Sequence, residues 1–186
     1  MSVDSILKQA DERMKKSVEV LRHEFSTLRT GKASVALLDT IHVELYGAEM
    51  PLKAAANITT PDPRTLLIQP FDKTALPKIE KAILKSDLGL TPNNDGQVIR
   101  LAIPAMTEER RKEMVKHVRK QAEETRIAVR NIRRDANDHL KRLEKNHEIT
   151  EDEISRVQEK LQKQTDAAIK QVDEVLAHKE KEIMEV

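Results

Sequence analysis

Hydrophobic side chains recur every three or four residues near the start of the chain, as they do along one face of an amphipathic helix. The apolar positions of this first segment are Leu7, Ala10, Met14, Val18, Leu21, Phe25 and Leu28. Glycine is a common residue just past the end of a helix. The pattern therefore predicts a first helix that ends near Thr30-Gly31.

Two further helices are predicted in the second half of the chain. The second helix begins at Thr107, whose hydroxyl group can cap the first turn, and Glu108 and Glu109 lie favourably at its positive end. Its apolar face is formed by Val115, Val118, Ala122, Thr125, Val129, Ile132, Ala136 and Leu143. The third helix begins at Thr150, because Thr150-Glu151-Asp152-Glu153 has the spacing of a capping box. Its apolar face continues through Val157, Leu161, Ala168, Val172, Val175 and Ile183.

The middle of the chain has a different pattern, because six of the seven prolines and all four glycines lie between Gly31 and Gly96. Apolar and polar residues alternate there over short runs, which is typical of half-buried strands. The predicted elements are strands at 41–46, 64–69 and 99–103 and a helix that is capped by Asp72 and carries Leu76, Ile79 and Ile83. Asn94-Asp95-Gly96 is a turn signal before the last strand.

Together these elements predict an α+β fold in which a small β/α/β domain is inserted into a three-helix antiparallel bundle. The bundle would contain residues 1–30 and 105–186, and the inserted domain would contain residues 31–104. Both ends of the inserted domain must return to the bundle. The two connections, at Thr30 and Gly31 and at Pro104 and Ala105, are therefore predicted to form a hinge.

Basic residues cluster on one side of the second predicted helix, next to its apolar face. This basic stripe consists of Lys112, Lys116, Arg119, Arg126, Arg130, Arg133, Arg134 and Lys141, and Glu123 is the one acid among them. At a rise of about 1.5 Å per residue the stripe is roughly 40 Å long. A stripe of that length suits a polyanionic surface better than a small ligand, and RNA is the first candidate.

The overall charge limits this interpretation, since the net charge is only +1 and the pI is about 7.9. From residue 110 to residue 134 there are ten basic and three acidic residues, whereas residues 146–186 carry six basic and eleven acidic ones. Pairing of the stripe with this acidic third helix is therefore an alternative to RNA binding. The only aromatic residues are Phe25, Tyr46 and Phe71, so any RNA contact should recognise phosphate and shape.

Other classes of chemistry find little support in the sequence. The chain has no cysteine, and four isolated glycines form no phosphate-binding loop. The six histidines show no metal-ligand spacing, and no serine lies in a nucleophile motif. We expect no catalysis, no metal, no cofactor and no small-molecule substrate. The chain also has no apolar run long enough to cross a membrane, so we expect a cytoplasmic protein.

Four segments of the chain resemble a known family. They are Arg29-Thr30-Gly31-Lys32-Ala33-Ser34, Ser86-Asp87-Leu88-Gly89-Leu90, Thr107-Glu108-Glu109-Arg110-Arg111-Lys112 and Val129-Arg130-Asn131-Ile132-Arg133-Arg134-Asp135-Ala136-Asn137. The segments look like the signatures of the bacterial ribosome recycling factor family, in order and at matching length. The resemblance implies an L-shaped, monomeric, non-enzymatic factor with a two-strand hinge. Such a factor binds the large ribosomal subunit after termination and, with elongation factor G and the GTP that partner hydrolyses, splits the subunits to release mRNA and tRNA.

The resemblance also implies site residues. The main ribosomal RNA contact of the family maps to Arg133, with Arg130 beside it and Arg29, Lys32 and Arg110 as helpers. Lys32 stands where the family usually has arginine. The stripe itself adds Lys112, Lys116, Arg119 and Arg126 as candidate RNA contacts. The runner-up interpretation is a helical adaptor that binds an acidic protein partner through the same stripe.

Overall fold

Residues 1–185 are described by a computed structural model and form five helices and six strands. In order they are α1 (Val3–Ser26), β1 (His42–Leu45), β2 (Ala48–Pro51), α2 (Leu52–Ala55), β3 (Ala56–Asp62), β4 (Thr65–Pro70), α3 (Leu76–Lys85), β5 (Pro92–Asn94), β6 (Ile99–Ala102), α4 (Glu108–Lys145) and α5 (Glu151–Met184). Two 3₁₀ turns, Val35–Leu38 and Lys73–Ala75, precede β1 and α3. The α+β fold class is confirmed.

The chain divides into two units, which are described separately. The first unit contains Met1–Phe25 and the chain from Lys112 onward, and the second contains Ser26–Arg111. These divisions lie five residues before and seven residues after the predicted domain boundaries. All four predicted hinge residues therefore fall in the second unit.

Three helices pack along their apolar faces in the first unit. Their shared core consists of Ile6, Ala10 and Met14 of α1, Val129, Ile132, Ala136 and Leu140 of α4, and Ile154, Val157, Leu161 and Ala168 of α5. Residues 6–13 of α1 line one cleft with residues 132–139 of α4, and residues 13–24 of α1 line another with residues 121–132 of α4, so these two helices are antiparallel. The predicted apolar face of α4 omits Met114 and Leu140, both of which are buried. Val115, Thr125 and Leu143, which it included, are only half-buried.

The predicted helix starts of the bundle are confirmed. The Thr107 hydroxyl accepts a hydrogen bond from the backbone N–H of Arg110 at 3.2 Å. At the start of α5 the Thr150 hydroxyl accepts from the N–H of Glu153 at 3.2 Å, and the Glu153 carboxylate accepts from the N–H of Thr150 at 2.8 Å. These reciprocal bonds satisfy backbone donors that a helix leaves without internal partners.

The first helix ends earlier than predicted, at Ser26 instead of near Thr30-Gly31. Ser26 and Thr27 carry hydroxyl groups that compete for backbone hydrogen bonds and so weaken a helix locally. Leu28, assigned to the apolar face of the helix, therefore lies in the segment that follows it. The difference of four residues exceeds the usual scatter in helix assignment.

The second unit is richer in strands than the predicted β/α/β arrangement. Strands β1 and β2 form a hairpin, and β3, β4, β6 and β5 form an antiparallel sheet in that order. Its core is aliphatic and includes the fully buried Leu66, Ile68, Ile79, Ile99 and Leu101. The prediction missed α2, β2, β3 and β5. Strand β3 is an edge strand that exposes five of its seven residues, so it lacks the alternation that would reveal it.

Candidate nucleic-acid interface

The basic stripe lies on α4 as predicted, beside the apolar face that packs in the bundle. Members of the stripe that were named as RNA contacts are Lys112, Lys116, Arg119, Arg126, Arg130 and Arg133, all in the first unit. Helix α4 is 38 residues long and contains no Gly or Pro, the two residues that most strongly disfavour a helix. One long helix therefore carries all six side chains.

Two arginines of the stripe are paired with acids of α5. The Arg119 Nε donates to Glu180 at 2.6 Å, and this bond raises the pKa of the Arg119 guanidinium. Arg126 donates from Nε and Nη2 to one oxygen of Asp173, at 2.8 and 2.6 Å, and from Nη1 to Glu123 at 3.1 Å. Partial burial lowers the pKa of Arg126, but the bonds to Asp173 and Glu123 outweigh it and the net shift is upward. These contacts match the alternative in which the stripe pairs with the acidic helix.

The next two arginines are less strongly compensated. Arg130 lies 3.5 Å from Glu123, the same carboxylate that Arg126 contacts. Arg133 donates from Nη1 to the side-chain amide oxygen of Gln162 at 3.1 Å, and it forms no ion pair within residues 1–185. Its charge is therefore held in place without being neutralised.

Three more cations of the stripe lack an acidic partner in residues 1–185. Lys116, Arg134 and Lys141 are exposed, and none of the three pairs with an acid in the described part of the chain. Exposed guanidinium and ammonium groups on one helix face can each bind a phosphate oxygen. The stripe thus contains a paired segment at Arg119 and Arg126, a charged segment around Arg130 to Arg134, and unpaired lysines, Lys116 and Lys141, towards its two ends.

The other predicted contacts lie in the second unit. Arg29 follows α1 and donates from Nη2 to the backbone carbonyl of Asp87 at 2.7 Å. Its Nη1 lies 4.0 Å from the position that a Cβ at Gly89 would take. Lys32 is half-buried, and Arg110 is exposed in the first turn of α4. The first two signature segments of the sequence, at 29–34 and 86–90, are therefore brought together by the Arg29 hydrogen bond.

The two chain segments that contain the predicted hinge also lie side by side. Gly31 adopts a φ of +79°, and a Cβ there would lie 3.3 Å from the backbone nitrogen of Met106. Thr30 is only 5% exposed, whereas Pro104 and Ala105 are exposed. Glycine at position 31 is required both by the left-handed backbone and by the close neighbour.

The geometry suits binding of a polyanion by charge and shape. Within residues 1–185 no group of three or more His, Asp and Glu side chains is placed to hold a metal ion. No helix in the same part of the chain is long and apolar enough to cross a membrane.

Sequence reasoning missed the α5 residue that holds Arg133. Gln162 accepts from Arg133 and donates from Nε2 to Asp166 at 2.8 Å. One signal was available, because Arg119, Arg126 and Arg133 are spaced by seven residues and so are Asp166, Asp173 and Glu180. Two antiparallel helices with such repeats bring their charged positions together in order.

Comparisons with known proteins agree with this architecture. The family model described as ribosome recycling factor matches residues 21–184. Ribosome-recycling factor of Carboxydothermus hydrogenoformans is 58% identical over 184 residues, covering 99% of this chain and 100% of the relative. That of Natranaerobius thermophilus is 57% identical over 181 residues, covering 97% of this chain and 98% of the relative.

Solved structures show the same similarity. A solution structure of the ribosome recycling factor matches with a TM-score of 0.83 and 43% identity, covering 100% of this chain and 99% of that one. A second match has a TM-score of 0.70 and 48% identity and covers both chains fully. It comes from models for the T. thermophilus ribosome recycling factor and the E. coli elongation factor G bound to the E. coli post-termination complex.

Proposed function

The chain belongs to the ribosome recycling factor family, and from that premise we propose that its helical bundle binds ribosomal RNA of the large subunit through the α4 stripe. A factor of the same family has been placed on a post-termination complex together with elongation factor G. Elongation factor G and its GTP hydrolysis would supply the energy that splits the subunits and releases mRNA and tRNA. The chain itself would act in the cytoplasm as a monomer, without catalysis or a cofactor.

The charged segment of the stripe carries this proposal. Arg133 has a neutral hydrogen-bond partner, and Arg134 is exposed without an acidic partner in residues 1–185. A guanidinium group in this state can form two parallel hydrogen bonds to a phosphate. Arg130 lies one turn earlier and shares the Glu123 carboxylate with Arg126. Arg119 and Arg126 would serve mainly to join α4 to α5.

The inserted unit supplies the second part of the proposal. We place a hinge at Thr30 and Gly31 and at Pro104 and Ala105, so that the sheet unit can move when the partner factor acts on it. Left-handed Gly31 beside Met106 supports this assignment, because small residues commonly absorb backbone rotation at hinges. Arg29, Lys32 and Arg110 would reinforce the RNA contact from the segments next to this connection.

Replacing Arg133 by alanine tests the RNA contact. We expect Arg133→Ala to weaken binding to isolated large ribosomal subunits about tenfold, which is the scale of a lost charge-assisted contact. The slope of log affinity against log salt should fall by about 0.9, because one phosphate contact disappears. Arg133→Lys should recover only part of the affinity, since lysine cannot form the bidentate fork.

Arg142→Ala is the matched control. Arg142 is exposed in the last turn of α4, outside the stripe, and its removal changes the net charge equally. Binding and salt slope should stay close to those of the unmodified protein. Equal losses in the two variants would mean that the stripe attracts RNA only at long range, and an unchanged Arg133→Ala variant would remove Arg133 from the interface.

A further inference from the structure

Charged residues on α4 and α5 face each other in a seven-residue repeat. Along α4 the positions are Arg119, Arg126 and Arg133, and along the antiparallel α5 the corresponding positions are Glu180, Asp173 and Asp166. The first two pairs close directly, each with a shortest N to O distance of 2.6 Å. The repeat therefore predicts a third ion pair between Arg133 and Asp166.

That third pair is absent from residues 1–185, and Gln162 is instead hydrogen-bonded to both of its members. The amide oxygen of Gln162 accepts from Arg133 Nη1 at 3.1 Å, and its Nε2 donates to Asp166 Oδ1 at 2.8 Å. A guanidinium group only donates and a carboxylate only accepts, so this arrangement fixes which way the amide is turned. Glutamine has the length and both the donor and the acceptor that the bridge requires.

We propose that Gln162 acts as a spacer that keeps Asp166 from pairing with Arg133 and so leaves the Arg133 guanidinium able to bind phosphate. The inference rests on the proposed RNA contact of Arg133. A carboxylate paired with Arg133 would compete with phosphate for the same N–H donors and cancel the charge that attracts it. The neutral amide instead uses one donor, and the charge remains.

The spacer also positions Arg133. Asp166 holds the Gln162 amide, and the amide oxygen holds Nη1, which leaves the other N–H donors of the guanidinium without a partner in residues 1–185. A long arginine side chain loses substantial rotamer entropy when it is fixed for binding. Holding it before binding reduces that cost. Gln162 is a positioning residue, since it acts on RNA only through Arg133.

Removing the spacer should let the missing ion pair form. We expect Gln162→Ala to lower affinity for isolated large ribosomal subunits two- to fivefold, the scale of an exposed ion pair that must be broken. Gln171 is an exposed residue of α5 that bonds to no stripe residue within residues 1–185, so Gln171→Ala should leave affinity unchanged. Equal affinities of these two variants would overturn the proposal.

A second substitution can restore the affinity that Gln162→Ala loses. A purely structural role of Gln162 does not predict such a rescue. Asp166→Ala added to Gln162→Ala removes the competing carboxylate and should return affinity to within twofold of the original. Glu174→Ala added to Gln162→Ala makes the same change in net charge at another exposed α5 position. The proposal is overturned if both additions rescue equally, because the effect would then be general charge.

The Arg133→Ala background separates this inference from the proposed function. If Arg133 binds phosphate and Gln162 protects it, Gln162→Ala should have no further effect once Arg133 is gone. A loss from Arg133→Ala without any loss from Gln162→Ala overturns the spacer alone. Full affinity in Arg133→Ala overturns both the contact and the spacer. Circular dichroism of each variant confirms that the exposed substitutions leave the helices intact.

Discussion

The helical unit and the sheet unit bury their apolar side chains differently. In the bundle a narrow core runs along three helices, and charged residues such as Arg126 and Asp173 close its edge. In the sheet unit an aliphatic core is enclosed between strands and α3, while the Lys78 and Lys81 side chains of α3 stay exposed and unpaired in the described chain. Arg126 beside the bundle core therefore joins two helices in a stripe that we propose to bind RNA, so its substitution would be expected to alter stability and affinity together.

The largest expected effect comes from a charge in the bundle core. Ile132 is 6% exposed on the packed face of α4. Ile132→Asp would bury an unpaired carboxylate and should cost several kcal/mol, enough to unfold a marginal unit. Circular dichroism should show a large loss of helix, while hydrogen exchange should still protect amides of the sheet core such as Ile68. Loss of that protection would show that the two cores do not fold independently.

Ile127→Asp is the control for this prediction. Ile127 lies on the same helix but is 48% exposed. Its replacement should change the melting temperature little, because exposed substitutions rarely shift stability by more than about 0.5 kcal/mol. Similar losses in both variants would mean that the packed face of α4 is assigned wrongly.

Left-handed backbone conformation should contribute more to stability in the sheet unit than in the bundle. Two glycines of the sheet unit allow a matched test. Gly31 and Gly47 have nearly equal φ angles of +79° and +76°, but only Gly31 has neighbours within 4 Å of a built Cβ. Gly47→Ala should cost about 1 kcal/mol for the left-handed backbone alone. Gly31→Ala should cost about 2 kcal/mol, because Met106 must also move. Thermal unfolding measures both, and equal losses would contradict the crowding at Gly31.

The smallest effect concerns pH and tests an exposed polar contact of the sheet unit. The Tyr46 hydroxyl donates to Asp72, which lowers the pKa of Asp72 with help from Thr74 and raises the pKa of Tyr46. A lowered carboxyl pKa stabilises the fold above the unfolded value of about 3.9 and the benefit is lost as pH falls. A raised tyrosine pKa stabilises below about 10 and the benefit is lost as pH rises.

The contact should therefore stabilise the sheet unit between about pH 4 and pH 10, which are close to the pKa values of aspartate and tyrosine in the unfolded chain. Both groups are exposed, so solvent screens the interaction and the change should be small. Urea unfolding across this range checks it. Tyr46→Phe keeps the ring but removes the hydroxyl, and its stability should vary less at both ends of the range. An identical pH profile for Tyr46→Phe would show that the hydrogen bond contributes nothing.

Local signals predicted the starts of α4 and α5 well. Thr107 and Thr150 begin their helices as expected, because a capping residue acts on backbone groups two or three positions away. Alternation at Val43 and Leu45 likewise located β1. Edge strand β3 was missed because its exposed residues and Pro61 give no period.

Contacts between distant residues were harder to predict. The sequence located the stripe, but which arginines are neutralised depends on how α4 aligns with α5. Arg126 meets Asp173 and Arg133 meets Gln162, and these partners lie 47 and 29 residues away. The seven-residue spacing of the charges is a signal for such pairs, but it does not show that Gln162 takes the place of Asp166 beside Arg133. The candidate RNA contacts therefore remain predictions from the stripe and the family.

The seven-residue repeat of α4 and α5 also bears on how the two helices find their alignment. Sliding α5 by one repeat, about 10.5 Å, would still offer Asp173 to Arg119 and Asp166 to Arg126. The charges therefore determine which faces of the two helices meet. They leave several positions of α5 along α4 nearly equal in energy. The connection between Lys145 and Glu151 is only five residues long and removes that degeneracy. The short connection therefore limits how far the two helices can slide, and the charge pattern sets their rotation about the helix axes.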